Sequence, residues 1–125
     1  MLPSNTLTAI AQCGFWACLI GAVTLAVLPH PPHLPFELGD KIQHMAAFAT
    51  LTLGAAFAWP QAPRMRILER LSFVGALIEV VQSIPQLHRD CDIRDWVADT
   101  AAIAAVLLIL KALRLPQAIM KRTGN

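Results

Sequence analysis

Charged residues are scarce in this sequence. Only 14% of its 125 residues are Asp, Glu, Lys or Arg, whereas 56% are hydrophobic. Soluble domains carry about 25% charged residues, and a short chain buries the smallest fraction of its surface on folding. The composition therefore excludes an ordinary soluble domain and predicts an integral membrane protein of one domain, residues 1–125. The net charge of +2 is too small to indicate a nucleic-acid partner.

Long hydrophobic segments, by contrast, are present four times. A membrane-spanning helix needs roughly 17–25 mainly apolar residues, and such segments are expected at about 7–28, 42–59, 67–84 and 96–113. Prolines stand between them, as is common at helix ends. We therefore predict an all-α fold, an antiparallel bundle of four transmembrane helices. The third helix is the weakest of the four, because its uninterrupted apolar part is short.

Basic residues are absent ahead of the first segment, and no small-x-small cleavage site precedes His30. Both features favour a retained helix over a signal peptide. With four spans, seven basic residues lie on one side of the membrane and three on the other, so the positive-inside rule places both termini in the cytoplasm, in an inner membrane. The seven are Arg64, Arg66, Arg70, Lys111, Arg114, Lys121 and Arg122, and the three are Lys41, Arg89 and Arg94.

Most of the polar side chains that could take part in catalysis or binding lie on the outer side. They recur at helical spacing, three or four residues apart, so that each set shares one helix face. At about 1.5 Å per residue, the deepest lie roughly 6–10 Å below the ends of their helices. A charged side chain in a membrane is costly and marks a functional site by default. We predict a catalytic or binding centre of His44, Glu79 and Asp99, with a rim of Lys41, Gln82, Arg89 and Asp95.

Each of these residues also has a structural interpretation. His44 would then only hydrogen-bond a carboxylate, and Asp95 would be the N-cap or a first-turn acid of the fourth helix, favoured by the helix dipole. Arg89 is either an anion clamp or an ordinary loop charge. A metal site of His44, Glu79, Asp95 and Asp99 matches no known ligand spacing, so no metal or cofactor is expected.

The polar residues and their order resemble the VanZ-like membrane proteins, a family named after an accessory factor in resistance to the glycopeptide teicoplanin. The resemblance rests on Asp40-Lys41-x-x-His44-x-x-x-Phe48, Glu79-x-x-Gln82, Arg89 and Asp95-x-x-Ala98-Asp99-Thr100, and covers roughly residues 40–107. This chain has Asp99 where the family usually has Asn, and Ala102 and Ala105 where it usually has glycines. The resemblance implies a small multi-pass membrane protein of the cell envelope.

Three classes of function compete. A proton-coupled transporter needs polar groups through the whole bilayer, and the inner half of these helices offers no ionisable ones, which argues against that class unless several copies combine. A membrane enzyme acting on a headgroup needs a carboxylate and a histidine within reach. A binding or accessory protein needs the same groups only to hold an envelope lipid or cell-wall precursor headgroup, or to hold the bundle together. The sequence does not separate the last two, and it is compatible with a homo-oligomer. Cys91 lies alone in an outer loop, as a free thiol or one that pairs between molecules.

Overall fold

The computed structural model describes residues 4–28, 40–87 and 91–113. These residues form four α-helices, α1 (Ser4–Val27), α2 (Asp40–Ala58), α3 (Arg64–Gln82) and α4 (Ile93–Ala112). A short 3-10 turn, Pro85–Leu87, follows α3, and the described ranges contain no strand. The predicted all-α fold with four helices is therefore confirmed. The prolines and the glycine of residues 29–39 predict an irregular connection, and that segment lies outside the described residues.

Each helix begins two or three residues before the position predicted from hydropathy. The start of α4 shows the reason. Asp92 is extended, and its side chain accepts a hydrogen bond from the backbone N–H of Arg94 at 2.9 Å. This N-cap starts the helix at Ile93, three residues before Trp96. Hydropathy finds the apolar part of a helix, whereas the first turn is polar because its unpaired N–H groups require acceptors.

Successive helices run in opposite directions, and α1 and α4 lie on opposite sides of the α2–α3 pair. Two glutamine side chains fix the ends of α1. Gln12 donates from Nε2 to the carbonyl of Ala58 at the end of α2 (3.2 Å), and Gln82 donates to the carbonyl of Ala26 (2.8 Å). The two ends of the bundle are thereby defined. One end holds the C-termini of α1 and α3 and the N-termini of α2 and α4, and we call it the outer end.

Apolar side chains fill the interior between the helices. Phe48 and Leu51 of α2 pack with Ile78 of α3 and Ile103 of α4. Gly75 permits a close approach here, because a Cβ atom at that position would lie 3.4 Å from both the Phe48 ring and the indole of Trp96. The core accounts for only part of the apolar residues, since all four helices also expose large apolar side chains, among them Ile20, Leu53, Phe73 and Leu108.

Among the described helices, only α1, over Asn5–Val27, has both the length and the apolar composition to cross a membrane. A signal sequence near an N-terminus would meet the same criterion, so this finding by itself is weak evidence of membrane association. The other three helices carry more charge within their length, such as Lys41 in α2, Glu69 in α3 and Asp99 in α4. The structure thus establishes the four-helix fold, and a four-span membrane bundle goes beyond it.

Candidate functional site

Polar side chains are buried mainly towards the outer end of the bundle. His44 (9% exposed), Glu79 (6%), Gln82 (1%) and Asp99 (2%) lie there, and we call these four residues the polar cluster. Thr52 is also buried, but its hydroxyl donates to the carbonyl of Phe48 in its own helix, as threonines in helices commonly do. The members of the polar cluster instead contact neighbouring helices.

His44 and Asp99 form the contact between α2 and α4. Nδ1 of His44 lies 3.8 Å from Oδ2 of Asp99, with both side chains almost wholly buried. One turn nearer the outer surface, Nζ of Lys41 lies 3.8 Å from Oδ1 of Asp95, and here the lysine side chain is 48% exposed. Lys41 and His44 are three residues apart on α2, and Asp95 and Asp99 are four apart on α4, so two parallel helices present matched pairs.

Glu79 connects α3 to the start of α4. Its Oε2 accepts a hydrogen bond from the backbone N–H of Asp92 at 3.1 Å, and it lies within electrostatic range of His44 and Asp95. Because α3 and α4 are antiparallel, the N-terminus of α4 lies beside the end of α3 that carries Glu79. The thiol of Cys91 also interacts with this carboxylate. Oε1 of Glu79 is itself buried and has no hydrogen-bond partner among the described residues.

Gln82 occupies a different place from the one expected. We predicted it at the rim of the site, but it is the most deeply buried member of the polar cluster. Three residues fall about 60° short of a full helical turn, and from this offset position Gln82 reaches α1, whereas Glu79 reaches the start of α4. There its amide satisfies the carbonyl of Ala26, one of the last carbonyls of α1 that have no partner within the helix. Its Oε1 has no donor among the described residues.

The remaining predicted residues divide into two groups. Asp95 lies in the first turn of α4 and Asp92 is the N-cap, so the first-turn interpretation of Asp95 describes its position correctly. Asp95 also pairs with Lys41, as a rim residue would. Arg89 lies outside the described residues, as do three of the four histidines, His30, His33 and His88.

A chain of hydrogen bonds that was not predicted from the sequence lies one to two helical turns further from the outer end. The indole N–H of Trp96 donates to the carbonyl of Ser72 at 2.9 Å, and the hydroxyls of Ser72 and Thr100 are 2.9 Å apart. These contacts join α3 to α4 directly below Glu79. Trp96 and Thr100 are four residues apart and share a face turned by about 100° from that of Asp95 and Asp99, so helical spacing contained the signal.

The space beside the polar cluster and the types of side chain in it limit what the cluster can bind. The cavity beside His44, between α1, α2 and α3, has a volume of about 30 Å³. That is room for about one or two water molecules. Among the described residues, no three His, Cys, Asp or Glu side chains are placed to hold a metal ion. The cluster offers carboxylate and amide oxygens that can accept hydrogen bonds from a group bringing its own donors.

Cys91 provides a test of the local electrostatics. Desolvation, its hydrogen bond to Glu79 and the negative charges of Glu79, Asp92 and Asp95 raise the pKa of the Cys91 thiol. A raised pKa leaves less of the reactive thiolate at a given pH. We expect iodoacetamide to alkylate Cys91 more slowly than a cysteine in an unstructured peptide, and Glu79→Gln to accelerate the reaction several-fold.

The measurement uses a Cys13→Ser, Cys18→Ser background, which leaves Cys91 as the sole thiol of three. Rates are compared between pH 7 and 9. Glu69→Gln removes one carboxylate at the other end of α3 and serves as the control. If both variants change the rate equally, the interaction between Glu79 and Cys91 is not the cause.

None of the protein-family models, curated proteins or solved structures compared with this chain matches it. The resemblance to the VanZ-like proteins therefore rests on the quoted residues, and it stays a prediction.

Proposed function

We propose that this chain is a VanZ-like, four-span membrane protein of the cell envelope, and that its polar cluster binds the polar headgroup of an envelope lipid or cell-wall precursor. The distribution of side chains supports the membrane part of the proposal. Buried positions hold His44, Glu79, Gln82 and Asp99, whereas large apolar side chains cover the outside of every helix. Extensive exposed apolar surface marks contact with a membrane or another protein.

The dimensions of the helices agree with this proposal. The four helices contain 24, 19, 19 and 20 residues. At 1.5 Å per residue these lengths are about 28–36 Å, and the hydrocarbon core of a bilayer is about 30 Å thick. The charges of α2 lie in its first turn, and those of α4 lie within two turns of its ends, whereas α3 carries Glu69 and Arg70 one to two turns inside its start and Glu79 one turn inside its end.

One observation carries the binding part of the proposal. Oε1 of Glu79 and Oε1 of Gln82 are buried acceptors that no donor of the described residues reaches. A buried polar group without a partner costs about 1–3 kcal/mol. A headgroup with hydroxyl, amide or ammonium donors would supply the missing bonds. Lys41, half exposed above the polar cluster, lies where such a group would first make contact.

A second candidate is a purely structural polar cluster that holds the helices together in a non-catalytic accessory protein. The small cavity beside His44 favours it, because about 30 Å³ admits water but no headgroup. The two candidates differ in what the protein does, because only the first requires a ligand.

Topology tests the membrane part of the proposal. A reporter fused after Asn125 is expected to read as cytoplasmic and one inserted near His33 as extracytoplasmic, because seven basic residues lie on one side and three on the other. Glycosylation or alkaline-phosphatase fusions give the readout. Opposite readings at both sites would overturn the orientation, and equal readings at the two sites would overturn the predicted number of spans.

The envelope role is tested by expression in a teicoplanin-sensitive host. We expect the wild-type protein to raise the minimal inhibitory concentration of teicoplanin above that of the empty vector. A membrane-inserted protein that leaves it unchanged would contradict the VanZ-like part of the proposal, while the membrane topology would stand.

A further inference from the structure

A second, larger cavity lies at the inner end of the bundle, away from the polar cluster. It is an open groove of about 550 Å³ between α1, the end of α2 and the first half of α3. Ligand sites commonly have volumes of about 300–1,000 Å³. Nothing in the proposed headgroup site uses this groove.

Three aromatic rings form one wall of the groove. Phe15 packs edge to face against Trp16 and Trp59, with ring centroids 5.4 and 5.1 Å away, and the two tryptophans are 6.1 Å apart at a near-perpendicular angle. Leu19 and Val74 continue the apolar lining. Trp16 is nevertheless half exposed, so a large apolar surface remains uncovered at this position.

Two arginines line the same groove at its inner end. Arg66 and Arg70 are four residues apart on α3, so both guanidinium groups stand on one helix face, and both are exposed. Among the described residues, no ion pair engages either of them. Glu69 also lines the groove, but its single negative charge is exceeded by the two positive charges of the arginines. Guanidinium groups bind phosphate oxygens in a bidentate manner.

We propose that this groove binds one anionic phospholipid, with an acyl chain against Phe15, Trp16 and Trp59 and the phosphate between Arg66 and Arg70. The combination of an apolar wall and paired cations within one groove fits both parts of such a lipid. Basic pockets between helices at the cytoplasmic surface bind anionic headgroups, and the basic residues of this chain predict that this end is cytoplasmic. The inference rests on the proposed membrane insertion and is independent of the polar cluster.

Tryptophan fluorescence tests the proposal directly, because Trp16 and Trp59 line the groove. The purified protein in detergent micelles is titrated with phosphatidylglycerol or phosphatidylcholine that carry brominated acyl chains, which quench indoles on contact. We expect half-quenching by phosphatidylglycerol at a concentration about tenfold lower than by phosphatidylcholine. Trp96 lies at the other end of the bundle and contributes the same background to both titrations.

Variants assign the preference to the groove. Arg66→Gln with Arg70→Gln is expected to bring the two half-quenching concentrations together, whereas Glu69→Gln should widen their ratio. Arg94→Gln removes an exposed arginine at the outer end and should leave the ratio unchanged. Equal quenching by both lipids in the wild type, or an unchanged ratio in the double variant, would overturn the proposal.

Two further measurements distinguish a bound lipid from a second copy of the chain and from a protein outside the membrane. Absence of quenching together with a dimeric mass in light scattering would assign the groove to a second copy of the chain and overturn the lipid site. Alkaline carbonate extraction of the wild type tests insertion separately. Extraction into the soluble fraction refutes membrane insertion, whereas a retained protein without lipid preference refutes only the lipid site.

Discussion

Glu79→Gln is expected to leave the bundle folded while abolishing any teicoplanin tolerance that the wild-type protein confers. Gln retains a side-chain oxygen that can accept the hydrogen bond from the N–H of Asp92, and its shape is nearly that of Glu. The free energy of unfolding should therefore change by less than about 1 kcal/mol. The substitution removes the ionisable group and one of the two acceptor oxygens through which a headgroup would be held.

Glu79→Leu is the matched structural variant. It leaves the N–H of Asp92 without its acceptor at the start of α4, which is expected to cost about 1–3 kcal/mol. The Leu variant should therefore accumulate less in the membrane and denature at lower SDS concentration than the Gln variant. Suppose that Glu79→Gln keeps full teicoplanin tolerance at an equal protein level, while Glu79→Leu lowers both the tolerance and the protein level. The polar cluster is then structural, and the headgroup proposal is wrong.

Helical periodicity was sufficient to predict which polar residues of α2, and which of α4, share a face. Lys41 and His44 share a face by their spacing, as do Asp95 and Asp99, and the structure pairs them across the helix contact. Hydropathy was sufficient for the number of helices, because prolines separate the four apolar segments, the third of which is interrupted by charges. Both predictions depend only on spacing and hydropathy within one helix, and these can be read directly from the sequence.

The parts that the sequence did not reveal depend on how helices are placed around one another. Gln82 shares a helix with Glu79 and lies three residues away, yet it turns to α1, because the groove between α2 and α3 holds α1 on that side. The contact from the N–H of Asp92 to Glu79 depends on the path of the chain between α3 and α4. Hydropathy and spacing do not specify either arrangement.

The two ends of the bundle differ in a way that bears on function. The outer end buries its polar groups, and the cavity beside His44 has a volume of only about 30 Å³, whereas the inner end leaves aromatic rings and arginines uncovered along a groove of about 550 Å³. Buried groups fix the relative position of helices, since each requires a particular partner. An uncovered groove leaves room for a ligand. A headgroup at the polar cluster would therefore require the outer end to open, and the lipid at the inner end would not.

The second large effect is expected at the contact between His44 and Asp99. Asp99→Ala removes the buried carboxylate that faces His44 and should destabilise the protein by about 1–3 kcal/mol, because it leaves a buried polar group without its partner. Asp99→Asn keeps the volume and one acceptor oxygen, and it introduces the residue usual in the VanZ-like family, so it should be tolerated with a loss of less than about 1 kcal/mol. SDS-denaturation midpoints of the purified variants give the measurement.

A double-mutant cycle shows whether the loss belongs to the pair. His44→Ala and Asp99→Ala are expected to be non-additive by about 0.5–3 kcal/mol, because either substitution alone already removes the contact. Lys41→Ala and Asp95→Ala provide the matched control one turn away, where the same 3.8 Å separation joins a half-exposed lysine to its carboxylate. Exposed pairs contribute about 0–1 kcal/mol, so the control cycle should be close to additive. Equal coupling free energies in the two cycles would mean that burial does not distinguish His44 and Asp99 from a surface ion pair. The polar cluster would then be neither a functional site nor a structural centre of the bundle.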